Sequence, residues 1–110
     1  MRILMTAKFP NEPFNSMVRE GRVEEIMNEI MESQKPEISY FTEMDGKRGC
    51  IALFNMNDQS QLPGLAEPYF LNFNAECHFS IAMTIEDLRN ANLNEIGRRW
   101  EKYTYQKATV

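Results

Sequence analysis

The chain has 110 residues, a formal net charge of -4 and a pI of about 5.0. This length predicts one domain over residues 1–110, which can bury roughly two thirds of its unfolded surface without help from metals or disulfides. The negative charge disfavours nucleic acid and anionic membranes as partners, because both repel it. No apolar run approaches the roughly 20 residues of a membrane span, and residues 1–5 lack the apolar core of a signal peptide, so we expect a cytoplasmic protein.

The first predicted strand is Arg2–Phe9, where apolar and polar residues alternate with a period of two. A helical segment follows, and its apolar residues change phase at Gly21, which has no side chain to hold a helical conformation. We therefore predict a short helical turn over residues 16–20, a break at Gly21, and a main helix over residues 22–33.

A β-hairpin is predicted next, from two β-prone runs at residues 37–44 and 49–56. Asp45-Gly46 supplies the positive φ angles that a tight turn needs, and we assign residues 45–48 to the turn. The second run is apolar on both faces, which is typical of a strand covered on both sides. The alternation therefore does not decide which face the helices cover.

The last third of the chain predicts a helix, a strand and a further helix. The first helix, residues 60–70, is interrupted near Pro63-Gly64, and the strand covers residues 75–83. Thr84 caps the following helix, with Asp87 three residues on as an approximate capping box. We expect a break near Asn92, a helical continuation to residue 103, and fraying of residues 104–110.

This order of elements predicts an α+β fold of the ferredoxin-like βαββαβ type, with an antiparallel sheet and an extra C-terminal helix. Both crossover helices should lie on one face of the sheet. The other face would then expose an apolar patch, which a homodimer with its sheets face to face would bury. In the strand order 4-1-3-2, Cys50 and Cys77 lie two strand spacings apart, about 9.6 Å. This exceeds the limit of about 7 Å for bridging, so no intrachain disulfide should form.

Several motifs accompany this predicted topology. They are Tyr40-Phe41, Asp45-Gly46-Lys47-Arg48-Gly49, Leu65-Ala66-Glu67-Pro68-Tyr69-Phe70-Leu71, Phe73-Asn74-Ala75 and Met83-Thr84-Ile85-Glu86-Asp87-Leu88. With them, nearly the whole chain resembles the dimeric α+β barrel superfamily, and within it a small bacterial group of uncharacterised proteins. The superfamily includes muconolactone isomerases, cofactor-free monooxygenases and stress-responsive barrel proteins. The resemblance implies a fold and a homodimer, but no catalytic motif aligns and no catalytic role is transferred.

His78 is the only histidine and the candidate catalytic base, since an imidazole can move protons near neutral pH. Side chains alternate between the two faces of a strand, so His78 points to the face opposite that of its neighbour Cys77. If the face of Cys77 meets the helices, His78 faces the barrel interior or the dimer interface. A hydrogen-bonded interface or surface histidine is the alternative. A metal needs three or four convergent ligands, and one histidine does not supply them, so we expect neither a metal nor a cofactor.

The predicted ligand-binding residues are Thr6, Tyr40, Phe54 and His78, which would line a small apolar cavity between the sheet and the helices. Polar groups on buried strands either orient a ligand or are satisfied locally. The first hypothesis is a homodimer that binds a small organic molecule, aromatic or lactone-like, with or without cofactor-free isomerase or monooxygenase chemistry. The alternative is a non-catalytic dimerisation module with a filled core. The sequence does not decide whether the protein is an enzyme.

Overall fold

A computed structural model describes residues 1–103, which form an α+β fold with a four-stranded antiparallel sheet and five helices. The strands are β1 (Arg2–Phe9), β2 (Ile38–Met44), β3 (Lys47–Asn55) and β4 (Glu76–Ile81). The helices are α1 (Asn11–Arg19), α2 (Val23–Gln34), α3 (Leu62–Phe73), α4 (Ile85–Asn90) and α5 (Leu93–Trp100), with 3-10 turns at Gln59–Gln61 and Glu101–Tyr103. The predicted fraying of residues 104–110 lies outside the described residues.

The sheet is open and has the strand order β2-β3-β1-β4, which is compatible with a ferredoxin-like fold. Ala7 on β1 is paired with Cys50 on β3 and with Cys77 on β4. The central strand β1 therefore separates the two cysteines as the predicted strand order requires, and both thiols are free.

The hairpin between β2 and β3 has a two-residue turn. Asp45 and Gly46 have φ angles of 52° and 77°, and two successive left-handed residues form the type of turn that matches the twist of the flanking strands. The Gly46 amide donates a hydrogen bond to the Glu43 carboxylate. The predicted turn over residues 45–48 was too long, because Lys47 is already paired with Met44.

The first helical segment is broken where the phase change predicts. Gly21 has a φ of 68°, and the Arg22 amide donates to the Met17 carbonyl in the connection between α1 and α2. The first helix was predicted too short, since α1 begins at Asn11 rather than at residue 16. Glu12 supports this early turn, because its carboxylate accepts hydrogen bonds from the Ser16 amide and hydroxyl at 3.2 and 2.7 Å.

The helices cover one face of the sheet and bury a hydrophobic core against it. Three aromatic rings lie at its centre: the centroid of Phe9 is 5.2 Å from Phe14 and 5.1 Å from Phe73, and Phe14 stacks on Phe73 at 5.3 Å. We define the core cluster as these rings with Met5, Ala7, Met17, Met27, Ile30, Cys50, Ala52, Phe54, Tyr69 and Ala75. The buried side chains of β3 are therefore those of Cys50, Ala52 and Phe54.

We call the opposite side of the sheet the open face. Its side chains follow from the strand register, since residues paired across strands share a face. The apolar members are Leu4, Ile38, Tyr40, Met44, Ile51 and Leu53. Ile38, Tyr40 and Leu4 are exposed, whereas Ile51 and Leu53 are half-buried between their neighbours. Among the described residues, no helix is seen to cover the open face. It is therefore an apolar surface, bounded by polar residues on β1 and β4.

The last two helices form a C-terminal arm, which we define as residues 85–103. The predicted capping box is present: the Asp87 amide donates to the Thr84 hydroxyl, and the Thr84 amide donates to the Asp87 carboxylate. The predicted break is also present, because Asn92 has a φ of 56°. Every residue of the arm is exposed. The radius of gyration is 19.5 Å, against about 13 Å for a compact domain of this size, so the shape is elongated.

Candidate functional site

Three of the four predicted ligand-binding residues lie in one row across the open face. Thr6 on β1 is paired with His78 on β4 and with Ile51 on β3, and Ile51 is paired with Tyr40 on β2. Paired residues of antiparallel strands have Cβ atoms about 4.5 to 5.5 Å apart. Ile51 therefore forms an apolar centre of the row. Thr6 and His78 lie on its β4 side, and the Tyr40 phenol lies on its β2 side.

Phe54, the fourth predicted residue, does not join this row. It is paired with Ile3 on the face that the helices cover, is 3% exposed, and belongs to the core cluster. The core cluster fills the space between the sheet and the helices around this ring. The residues that the sequence grouped as one cavity therefore lie on two sides of the sheet, and only Thr6, Tyr40 and His78 share the open face.

A groove of about 460 Å³ lies at the polar end of the row. Its lining residues are Thr6, Lys8, Glu43, Met44, Asp45, Glu76 and His78. The groove forms where the β2-β3 turn and strand β4 approach β1 from opposite edges of the sheet. It combines an imidazole and a hydroxyl with one ammonium and three carboxylate groups.

Lys8 connects the two edges of the groove. Its Nζ lies 3.3 Å from the Glu76 carboxylate and 3.5 Å from the Asp45 carboxylate. The hydrogen bond and the charge of Glu76, with a smaller effect of Asp45, raise the pKa of Lys8 above its ordinary value. Lys8 therefore stays protonated, and its charge is matched by two carboxylates rather than left for an anionic ligand.

Asp45 and Glu43 were not predicted to contribute to a site. The sequence explained Asp45 by the needs of the hairpin turn, and that explanation is correct for its backbone. The contact of Asp45 with Lys8 could have been predicted from the strand register. Gly49 is paired with Lys8, and the turn that contains Asp45 lies within a few residues of that pair. Register depends on which strands are neighbours, and the local pattern alone does not give it.

The Cys50 thiol and the Tyr69 phenol lie inside the core, and half-buried Cys77 packs against it. Burial raises the pKa of Cys50 and of Cys77 to about 11 each, and burial also raises the pKa of Tyr69. The Tyr69 hydroxyl is buried and has no hydrogen-bond partner among the described residues. Because a protonated thiol is a poor nucleophile, these cysteines fit structural roles in the core better than catalytic ones.

Within residues 1–103, no group of three or more His, Cys, Asp or Glu side chains is arranged to hold a metal ion. None of the helices described here is both long enough and apolar enough to cross a bilayer.

No family model and no curated protein sequence matches this chain. Solved structures do match it, among them the de novo designed protein Ferredog-Diesel. That structure has 13% sequence identity and a TM-score of 0.46, and the match covers 74% of this chain and 85% of the designed one. Likeness at this level assigns no function.

Proposed function

We propose that the protein is a homodimer of the α+β barrel type that binds a small, uncharged organic molecule between the open faces of its two sheets. The observation that carries this proposal is the row of His78, Thr6, Ile51 and Tyr40, which places polar groups beside an apolar surface. Small-molecule sites have this composition, with an apolar lining and a few convergent polar groups that fix orientation.

The open face supports the dimer. It carries the apolar side chains of Leu4, Ile38, Tyr40, Ile51 and Leu53 with no helix assigned over them among the described residues. A monomer in water would leave this surface hydrated at a cost of about 25 cal/mol for each Å² of apolar area. A two-fold dimer with the faces together removes that cost and encloses the polar groove at its margin.

The charges of the groove support an uncharged ligand. The lining has one ammonium, Lys8, and three carboxylates, Glu43, Asp45 and Glu76. A carboxylate ligand would meet an excess of negative charge, and enclosure would strengthen that repulsion. Among aromatic and lactone-like molecules, uncharged quinols and lactones therefore fit better than aromatic acids.

The proposed role of His78 is to accept a proton from the bound molecule, and that of Thr6 is to hold the ligand oxygen beside it. A neutral imidazole can accept a proton near neutral pH without a metal or cofactor. Cofactor-free isomerisation begins with removal of a proton from carbon. Oxidation of a quinol begins with removal of a proton from oxygen, and dioxygen then accepts the two electrons and is reduced to hydrogen peroxide. The proposal therefore includes turnover, and His78 is the residue on which turnover depends.

The first experiment combines sedimentation with thermal unfolding. We expect the purified protein to sediment as a dimer, and hydroquinone and γ-valerolactone to raise its Tm by an amount that grows with their concentration, because they bind only the native state. Benzoate should leave the Tm unchanged. A monomer that none of the three compounds stabilises would contradict the proposal, and a Tm raised by benzoate alone would contradict the argument from charge.

The alternative function is a non-catalytic dimerisation module, and the packed core favours it. The core cluster fills the side of the sheet on which the sequence had placed the cavity, so both faces could serve stability and assembly alone. The same experiment separates the two functions, since a dimer that neither hydroquinone nor γ-valerolactone stabilises would support the module.

A further inference from the structure

The C-terminal arm has an apolar stripe that is exposed along its second helix. Leu93, Ile96 and Trp100 follow one another at intervals of three and four residues, and Tyr103 continues the series. These intervals place them on one side of a helix. All four side chains are exposed, and 54% of the Trp100 surface is accessible. A stripe of this kind normally faces a protein surface.

Residues 1–103 of the arm's own subunit leave this stripe exposed. The ring contacts of Trp100 lie within the arm: its centroid is 5.7 Å from that of Tyr103, and the Arg99 guanidinium lies 5.5 Å from the Trp100 ring. All arm residues are exposed. Within the described residues, the stripe is therefore open to contact with a second molecule.

Strand β2 is an exposed apolar surface at the edge of the sheet. Ile38 and Tyr40 on the open face and Phe41 on the other face are each at least half exposed. β2 and β4 lie at opposite edges, and the arm follows β4. In a face-to-face dimer whose two-fold axis runs parallel to the strands, the edges are exchanged. The β4 edge of one subunit, with its arm, then lies beside β2 of the other.

The charges of the arm fit the body of a second copy. The arm as a whole has four basic and four acidic side chains, and its basic residues are concentrated at its end, in Arg98, Arg99 and Lys102. Arg98 is paired with Glu95, so Arg99 and Lys102 provide the positive charge near Trp100. The body, residues 1–84, has 7 basic and 12 acidic side chains. Helix α2, which precedes β2 in the chain, contains Glu24, Glu25, Glu29 and Glu32 and has no basic residue. An arm beside β2 of the partner would bring positive charge to an acidic surface.

We infer that the C-terminal arm of each subunit packs its stripe against strand β2 of the partner, so that the two subunits exchange arms. This inference rests on the proposed dimer and adds the contact that stabilises it. The occupant of the exposed edge is a second copy of this chain, and Trp100 is the central anchor of the contact. Aromatic anchors of this kind carry much of the binding energy of an interface.

The only tryptophan of the chain reports on the contact directly. In a concentration series, we expect the Trp100 emission maximum to shift to shorter wavelength as the protein concentration rises. The shift should occur over the same range in which sedimentation detects formation of the dimer. Leu93→Ser and Trp100→Ala should each raise the Kd of the dimer at least tenfold. Leu71→Ser is the matched control, because Leu71 is an exposed leucine on α3, outside the arm, and it should leave the Kd unchanged.

A cross-linking experiment identifies the surface that the arm contacts. Subunits with Ile96→Cys are mixed with subunits of different mass that carry Phe41→Cys, and a short bis-maleimide is added. A product with one subunit of each kind is the expected result. A stable dimer without the emission shift and without this product would overturn the arm exchange alone. A chain that stays monomeric at every concentration would overturn the proposed dimer and the exchange with it.

Discussion

Thr6 on β1 is paired directly with His78 on β4, and both side chains lie on the open face of the sheet. The pair joins a hydroxyl to the only imidazole of the chain at the margin of an apolar surface. Its position depends on the register between two strands that are more than 60 residues apart in sequence. Thr6 and His78 were both predicted as ligand-binding residues from patterns on different strands, and the register places them side by side.

The first prediction concerns this pair. His78→Ala should abolish the rise in Tm that hydroquinone produces and should leave the dimer intact, because the exposed imidazole contributes little to folding. Thr6→Val should weaken the same rise severalfold, since it removes the hydroxyl and keeps the shape. Ser80→Ala is the control: Ser80 lies on the same face of β4 but outside the groove lining, and the ligand response should persist. An unchanged response in His78→Ala would remove His78 from the site.

The second prediction concerns the apolar centre of the open face. Leu53→Asp places a charge where the proposed dimer buries apolar surface, and desolvation of an unpaired charge is costly. We expect the variant to sediment as a monomer and to keep a far-UV circular dichroism spectrum like that of the unmodified protein. Leu71→Asp on α3 is the matched control and should remain dimeric. Equal sedimentation of the two variants would show that the open face is not the interface.

The third prediction compares two glycines that differ in backbone conformation. Gly21 has a φ of 68°, whereas Gly64 lies in α3, and a Cβ atom on either would meet no atom within 4 Å. Gly21→Ala should therefore lower the free energy of unfolding by about 1 kcal/mol through left-handed strain alone. Gly64→Ala should raise it by about 0.5 kcal/mol, because alanine restricts the unfolded chain. Urea unfolding of both variants measures the difference, and a loss for Gly64→Ala would refute the argument.

The features that the sequence predicted well are those encoded within a few residues. Gly21, the Asp45-Gly46 turn and the pairing of Thr84 with Asp87 each depend on local backbone chemistry, so each appears at the predicted position. The start of α1 was missed because the carboxylate of Glu12, whose own backbone is not helical (φ -112°, ψ 140°), accepts hydrogen bonds from Ser16 and so supports a turn that helix propensity does not indicate.

The features that could not be predicted depend on contacts between distant segments. Apolar residues occupy both faces of β3, so the sequence did not decide that Phe54 packs against the helices while Ile51 lies on the open face. The contacts of Lys8 with Asp45 and Glu76 require three strands in a known order and register. The exposure of Trp100 within residues 1–103 likewise depends on how the last helix packs, which the spacing of its apolar residues does not determine.

The fourth prediction concerns the buried hydroxyl of Tyr69. The side chain is 0% exposed, and its hydroxyl has no hydrogen-bond partner among the described residues. Burial of an unsatisfied polar group costs roughly 1 to 3 kcal/mol. Tyr69→Phe should therefore raise the free energy of unfolding by about 1 kcal/mol. Tyr40→Phe removes an exposed hydroxyl and should change it by less than about 0.5 kcal/mol. Destabilisation by Tyr69→Phe would show that the hydroxyl has a partner.

The last prediction concerns the pH dependence of stability. Burial raises the pKa of Cys50 from 9.0 to about 11, so the folded state holds its proton more tightly than the unfolded state does. The stabilisation from this difference is fully present below pH 9 and is lost as the pH rises through 11. Between pH 8 and pH 10.5, Cys50 should therefore account for a loss of about 2 kcal/mol in the free energy of unfolding.

Cys50→Ala isolates this contribution. The variant is less stable at every pH because it leaves a cavity in the core, but its stability should fall less steeply between pH 8 and pH 10.5. Urea unfolding under reducing conditions measures both slopes. Lys8 contributes equally to both proteins, and burial, the main cause of the raised pKa of Cys77, is also common to them, with a smaller contribution from the charge of Cys50. Equal slopes would mean that water reaches Cys50 in the folded state, and the core beneath the sheet would then be less tightly packed than the 0% exposure of this residue indicates.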